Sequence, residues 1–134
     1  MSQENIEIVL ADFDNVNRRD WAASMASYDE DAVLFVSSSN GPDAGVFRGR
    51  EAMARWFGDW FRAFGPDYRF DVDEVRSVGD RVLAVVSHHG SGRASGAEVE
   101  QITANLYTLH EAKIVRLEMY GSPTEALKAA GLEE

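Results

Sequence analysis

Hydrophobic positions in the first half of the chain recur at helical spacing. Ile6, Val9, Leu10, Phe13 and Val16 share one side of a helix that begins near Gln3, with Glu4, Asp12, Asp14 and Arg18 on the other. Asn17-Arg18-Arg19-Asp20 interrupts the period, and Asp20 suits the cap of a short second helix from Trp21 to Ser27. A polar turn, Tyr28-Asp29-Glu30-Asp31, leads into the strand-like run Ala32 to Val36. Ser37 to Gly45 is rich in small polar residues, glycine and proline, and reads as a loop. A third helix runs from Gly49 or Arg50 to about Phe64, with an aromatic stripe that includes Trp56, Phe57, Trp60 and Phe61; Gly65-Pro66 ends it.

Beyond that point the period shortens to two, the spacing of strands. Tyr68, Phe70 and Val72 alternate with Arg69, Asp71 and Asp73, and the alternation slips at Glu74-Val75, as a β-bulge would make it do. Gly79-Asp80 turns the chain into Arg81 to Gly92, and the run SGRASG turns it into Glu98 to His110. Glu111-Ala112 then leads to Lys113 to Tyr120, and Pro123 opens a last helix, Thr124 to Ala130. Helices first and a glycine-punctuated antiparallel meander last predict an α+β fold. The expected form is a cone: a strongly curved, mainly antiparallel sheet wrapped around the N-terminal helices, with a central pocket.

Composition narrows the function classes. The 134 residues suit one domain, and 45% hydrophobic content can fill its core without metal or disulfide staples. There is no cysteine, so disulfides, thiolate metal sites and thiol nucleophiles are out. No His/Asp/Glu group has metal-ligand spacing and no glycine loop cradles a phosphate, so neither metal nor cofactor is expected. A formal charge of -10 disfavours nucleic acid and anionic membrane as partners. The amino terminus lacks a basic stretch followed by an apolar run, and no segment approaches the ~18 apolar residues of a membrane helix. A cytoplasmic protein is expected.

Five stretches carry a family likeness: Val16 to Trp21, Asp29 to Val33, Phe47 to Ala52, Val78 to Val82 and Ala112 to Arg116. In this order and spacing the chain, read as one domain over 1–134, resembles the SnoaL-like branch of the superfamily of ketosteroid isomerases and nuclear transport factor 2. The resemblance implies the cystatin-like α+β cone, whose pocket is lined by the concave face of the sheet and capped by helices. It implies no single reaction, because this scaffold hosts isomerases, cyclases, dehydratases, epoxide hydrolases and proteins without known chemistry.

Matching the chain to ketosteroid isomerase places Leu83, Val85 and His89 inward on one strand and Gln101, Thr103, Asn105 and Tyr107 inward on the next. Trp56 and Trp60 would close the pocket from the helix side. His89 is the candidate general acid or base, since free imidazole titrates near about pH 6.5. His88 would then point outward, and His110 would lie exposed at a hairpin. Glu118 becomes a further candidate base if it faces inward, which a one-residue slip at Glu111-Ala112 decides. By the same resemblance, Asn105 stands where ketosteroid isomerases place a protonated aspartic acid. Val36 or Ser37 replaces their basic aspartate and Asp12 their oxyanion-hole tyrosine, departures that argue against ketosteroid isomerisation. The Asp-Arg-Asp set of the epoxide hydrolases of this fold is missing from the inward positions.

The expectation is a pocket for a small apolar molecule, with cofactor-independent acid/base chemistry of the isomerase, cyclase or dehydratase type. A non-catalytic binder and an interaction protein are the alternatives. Val82, Ala84 and Val86, taken as an outer apolar face, predict a homodimer through the sheet.

Overall fold

The structure, a computed structural model, describes residues 2–37, 44–65, 67–92, 96 and 98–131. Most of the Ser37 to Gly45 loop, Pro66 and much of the SGRASG turn lie outside the described residues. In chain order the elements are α1 (Ser2–Asn17), α2 (Trp21–Ala26), β1 (Tyr28–Val36), β2 (Gly45–Arg48) and α3 (Arg50–Arg62). They continue with β3 (Arg69–Val78), β4 (Arg81–Ser91), β5 (Glu98–His110), β6 (Lys113–Tyr120) and α4 (Pro123–Ala129).

The strands form one six-stranded sheet in the order β2-β1-β6-β5-β4-β3, open at both edges. β1 runs parallel to β6, and every other pairing is antiparallel. Two features exceed the sequence expectation. β1 begins at Tyr28 instead of Ala32, and β2 forms where a loop-to-helix connection was expected. The bulge falls on β3 between Val72 and Glu74, so Val72 and Val75 both turn inward although three positions apart.

Both faces of the sheet are covered, and this governs where the site lies. On the concave face α1 to α3 bury Val9, Phe13, Met53 and Trp56 against Val82, Ala84, Val86 and Tyr107. On the convex face Leu83, Ala104, Leu106 and Tyr120 pack with Ala126 of α4. Val82, Ala84 and Val86 are therefore core residues at 0% exposure and supply no outer dimer face.

Local signals fix the helix ends. Asp20 accepts a hydrogen bond from the Ala23 amide at the start of α2. Ser122 does the same for Glu125 at the start of α4, while the Glu125 carboxylate takes the Gly121 amide. At the end of α1 the Asn17 side chain brackets Phe70, with Nδ2 donating to its carbonyl and Oδ1 accepting from its amide, both at 2.9 Å. That double bond occupies the free edge of β3 and fixes α1 across the sheet.

Candidate functional site

Along α1 the buried positions are Val9, Asp12, Phe13 and Val16, the i, i+3, i+4, i+7 spacing of a core stripe. Asp12 thus occupies an apolar position, contrary to the expectation that it lies on the polar side. It is 3% exposed. Such a carboxyl must be hydrogen-bonded, and both its oxygens are. Ser24 Oγ, on α2, donates to Oδ1 at 2.6 Å, and Tyr28 Oη, at the start of β1, donates to Oδ2 at 2.9 Å. Burial pushes the Asp12 carboxyl up to about 6, against the downward pull of those two hydrogen bonds. Burial, with Asp12 nearby, likewise raises the Tyr28 and Tyr107 hydroxyls well above the ordinary phenol range.

Asp12 lies at a narrow cavity between α1, α2 and the concave sheet. Asn105 and Tyr107 face it from β5, and Phe13, Phe70, Leu117 and Met119 wall it. Asn105 Nδ2 stands 3.5 Å from the Tyr107 hydroxyl, while Asn105 Oδ1 is buried without a hydrogen-bond partner. Trp21, Met25 and Phe57 line both this cavity and an outer groove between α2 and α3. These three side chains separate the Asp12 chamber from solvent on that side. A few polar groups on apolar walls are the composition of a small-molecule site.

A second polar cluster is sealed beside it. Trp60 Nε1 donates to the Tyr68 hydroxyl at 2.9 Å, and that hydroxyl lies 2.5 Å from His88 Nδ1. With an oxygen lone pair occupied by Trp60, Tyr68 donates to Nδ1, and His88 Nε2–H donates to Thr103 Oγ1 at 2.9 Å. Burial first, and then the neighbouring His89, push the His88 imidazole down to about 4, so it is neutral at pH 7.

The expected site residues divide by strand. On β5, Thr103 binds His88, Asn105 and Tyr107 line the cavity, and Gln101 pairs with His88 at the rim of the same face. On β4 the face is reversed. Directly paired residues share a face, and the pairs are His88–Gln101, Val86–Thr103 and Ala84–Asn105. His88 therefore turns inward, where an outward position was expected. His89, Leu83 and Val85 turn outward. His89 Nε2 sits 3.2 Å from Asp71 on the convex surface, away from the cavity, and Leu83 lies under α4. Glu118 is also outside: it pairs with Leu106, accepts the Tyr120 hydroxyl at 2.6 Å and meets Arg116 at 3.4 Å, leaving Leu117 inward opposite Tyr107. Trp56 and Trp60 stack on each other, 5.3 Å between centroids, and line a separate surface groove with Asp59, Ala63 and Phe64. His110 is exposed at the β5–β6 hairpin. Among the described residues no group of three or more His, Asp or Glu could hold a metal.

The sequence matches the model of the SnoaL-like domain over residues 9–117. The chain belongs to the SnoaL-like family. No curated protein matches it. Among solved structures 340 chains share the fold, a breadth that selects no reaction by itself. An NTF2-like protein from Burkholderia xenovorans LB400 is 25% identical, covering 97% of each chain, with a TM-score of 0.73. A protein from Jannaschia sp. CCS1, named as a candidate SnoaL-like polyketide cyclase, is 19% identical with a TM-score of 0.80, covering 100% of this chain and 95% of its own. A protein from Catenulispora acidiphila DSM 44928 with a ketosteroid isomerase-like fold, solved in complex with trimethylamine, is 17% identical, covers 94% of this chain and 93% of its own, and has a TM-score of 0.74. Within the described residues of this SnoaL-like chain, no helix is long and apolar enough to cross a membrane.

Proposed function

We propose that the chain binds a small organic molecule in the Asp12 cavity and moves a proton on it without a cofactor, with Asp12 as the proton carrier. The observation that carries this reading is a carboxyl buried at an otherwise apolar chamber and pushed up to about 6. A base titrating near the working pH is ionised often enough to accept a proton and acidic enough to return it. The Tyr107 hydroxyl, facing the Asn105 amide, keeps its own proton to donate to a substrate oxygen as negative charge develops there. Asp12 thus takes the place first given to His89. A relative of this fold with a small amine bound supports a ligand role for such a cavity. Isomerase-, cyclase- and dehydratase-type steps all fit one proton carrier facing one hydroxyl donor.

Deuterium exchange tests this directly. A panel of neutral ketones and amino ketones in D₂O is followed by proton NMR for loss of the signal next to the carbonyl. The wild type should speed exchange of at least one member, and Asp12→Asn should abolish that gain. Exchange no faster than buffer for every member, or an undiminished rate in Asp12→Asn, contradicts the reading.

A homodimer through the sheet stays part of the proposal on a different residue: Ile102, on the convex face of β5, is 54% exposed.

A further inference from the structure

The Asp12 cavity has a chemical bias that proton transfer alone does not require. Asp12 is the one charged group lining it among the described residues, and its hydrogen bonds come from neutral hydroxyls. A buried carboxylate is stabilised far more by a cation than by a hydroxyl, and no lysine, arginine or histidine lines this chamber. Asn105 points the same way independently. It is 5% exposed and lines the cavity, and its Oδ1 has no hydrogen-bond donor, an unfavourable state for a buried acceptor. Aromatic side chains of Phe13, Tyr28, Phe70 and Tyr107 surround these two acceptors, and aromatic faces attract positive charge.

A ketone or ester offers only acceptors, so it would leave Asn105 Oδ1 unmet, and an anion would be repelled by Asp12. Building on the reading of this cavity as the ligand site, we propose that its ligand carries a protonated amine. The ammonium group rests against the Asp12 carboxylate and donates an N–H to Asn105 Oδ1, with its alkyl groups on the aromatic walls.

Four probes separate charge, donor and shape: trimethylammonium, tetramethylammonium, tert-butanol and cyclohexanone. Each is titrated into the full chain at pH 7.5 by calorimetry or protein-observed NMR. Trimethylammonium should bind at least about tenfold tighter than tert-butanol, with tetramethylammonium, which has charge but no N–H, in between. Asp12→Asn should erase the trimethylammonium advantage over tert-butanol, with the fold of the variant checked separately by its amide NMR spectrum. The groups facing Asp12 are Ser24 from α2, Tyr28 from β1 and Tyr107 from β5, and both tyrosines stay protonated at neutral pH. Lowering the pH from 7.5 to 5 should therefore weaken trimethylammonium roughly tenfold as Asp12 takes up a proton, and tert-butanol far less. Cyclohexanone or tert-butanol binding as tightly as trimethylammonium, in a manner that Asn105→Ala weakens, overturns the amine and leaves the cavity reading intact. Absence of binding by all four probes overturns both.

Discussion

Replacing Asp12 by asparagine should make the protein more stable, and increasingly so as the pH rises. The native state holds this carboxyl at about 6, against 3.8 for the unperturbed group. Two pH units of difference correspond to about 3 kcal/mol. The sign follows from which form burial disfavours. Below pH 4 the carboxyl is protonated in both states, and ionisation imposes no penalty on the fold. Between 4 and 6 the unfolded chain releases its proton while the native state retains it, so the native state loses ground. Above 6 the full penalty applies. Asparagine removes the ionisation but fills nearly the same space, and whatever hydrogen bonding it loses to Ser24 or Tyr28 is independent of pH. The stability difference, variant minus wild type, should rise by about 2.5 kcal/mol between pH 4 and pH 7. At this chain length that is a relative shift on the order of 10 °C in Tm. Urea unfolding of both proteins at half-unit pH steps measures it. A difference that stays flat with pH, or that falls, refutes the claim that burial outweighs the Ser24 and Tyr28 hydrogen bonds at Asp12. Both proteins must be followed, because His88 titrates across an overlapping window with the opposite sign.

Three further outcomes follow. The native His88 imidazole, held near 4 against 6.5 in the unfolded chain, should cost about 3 kcal/mol of stability as the pH falls from 6.5 to 4, and His88→Gln should flatten that acid limb in urea titrations. Gly90→Ala should destabilise by about 1–3 kcal/mol, because at φ +154° its new Cβ would stand 2.7 Å from the Tyr68 Cα; a thermal midpoint equal to wild type contradicts the close approach. Ile102→Lys should convert a dimer to a monomer in sedimentation equilibrium, and a monomeric wild type removes the proposed sheet interface.

The sequence made the fold legible because each element carried its own period or punctuation. Aromatic spacing marked α3, alternation marked β3 to β6, and the slip at Glu74-Val75 marked a bulge within one residue of its position. The inner face of β4 was not legible by the same means. Its two alternating sets, Leu83/Val85 and Val82/Ala84/Val86, are both apolar, because α1 to α3 cover one face of the sheet and α4 covers the other. Periodicity states that residues alternate, not which set faces in, and the choice made by likeness to ketosteroid isomerase put His89 where His88 belongs. Cross-strand pairing with the β5 set would have decided it, but pairing register is set by hairpin geometry.

Asp12 was missed for a different reason. It is charged, and a charged residue on an amphipathic helix is ordinarily solvated. The signal was present all the same, since position 12 falls three residues after Val9 and four before Val16, inside the stripe. Ser24 and Tyr28 gave no such sign, because a serine in a short helix and a tyrosine before a strand become its partners only once α1, α2 and β1 are packed together.

The central claim is that Asp12 titrates near neutrality inside an apolar chamber, and a carbon-detected NMR titration of the aspartate carboxyl groups, assigned with Asp12→Asn, measures it most directly. A midpoint near 6 for Asp12, falling when trimethylammonium is added to saturation, is the predicted result. A midpoint near the unperturbed 3.8, unmoved by the amine, would contradict both the proton carrier and the cation site.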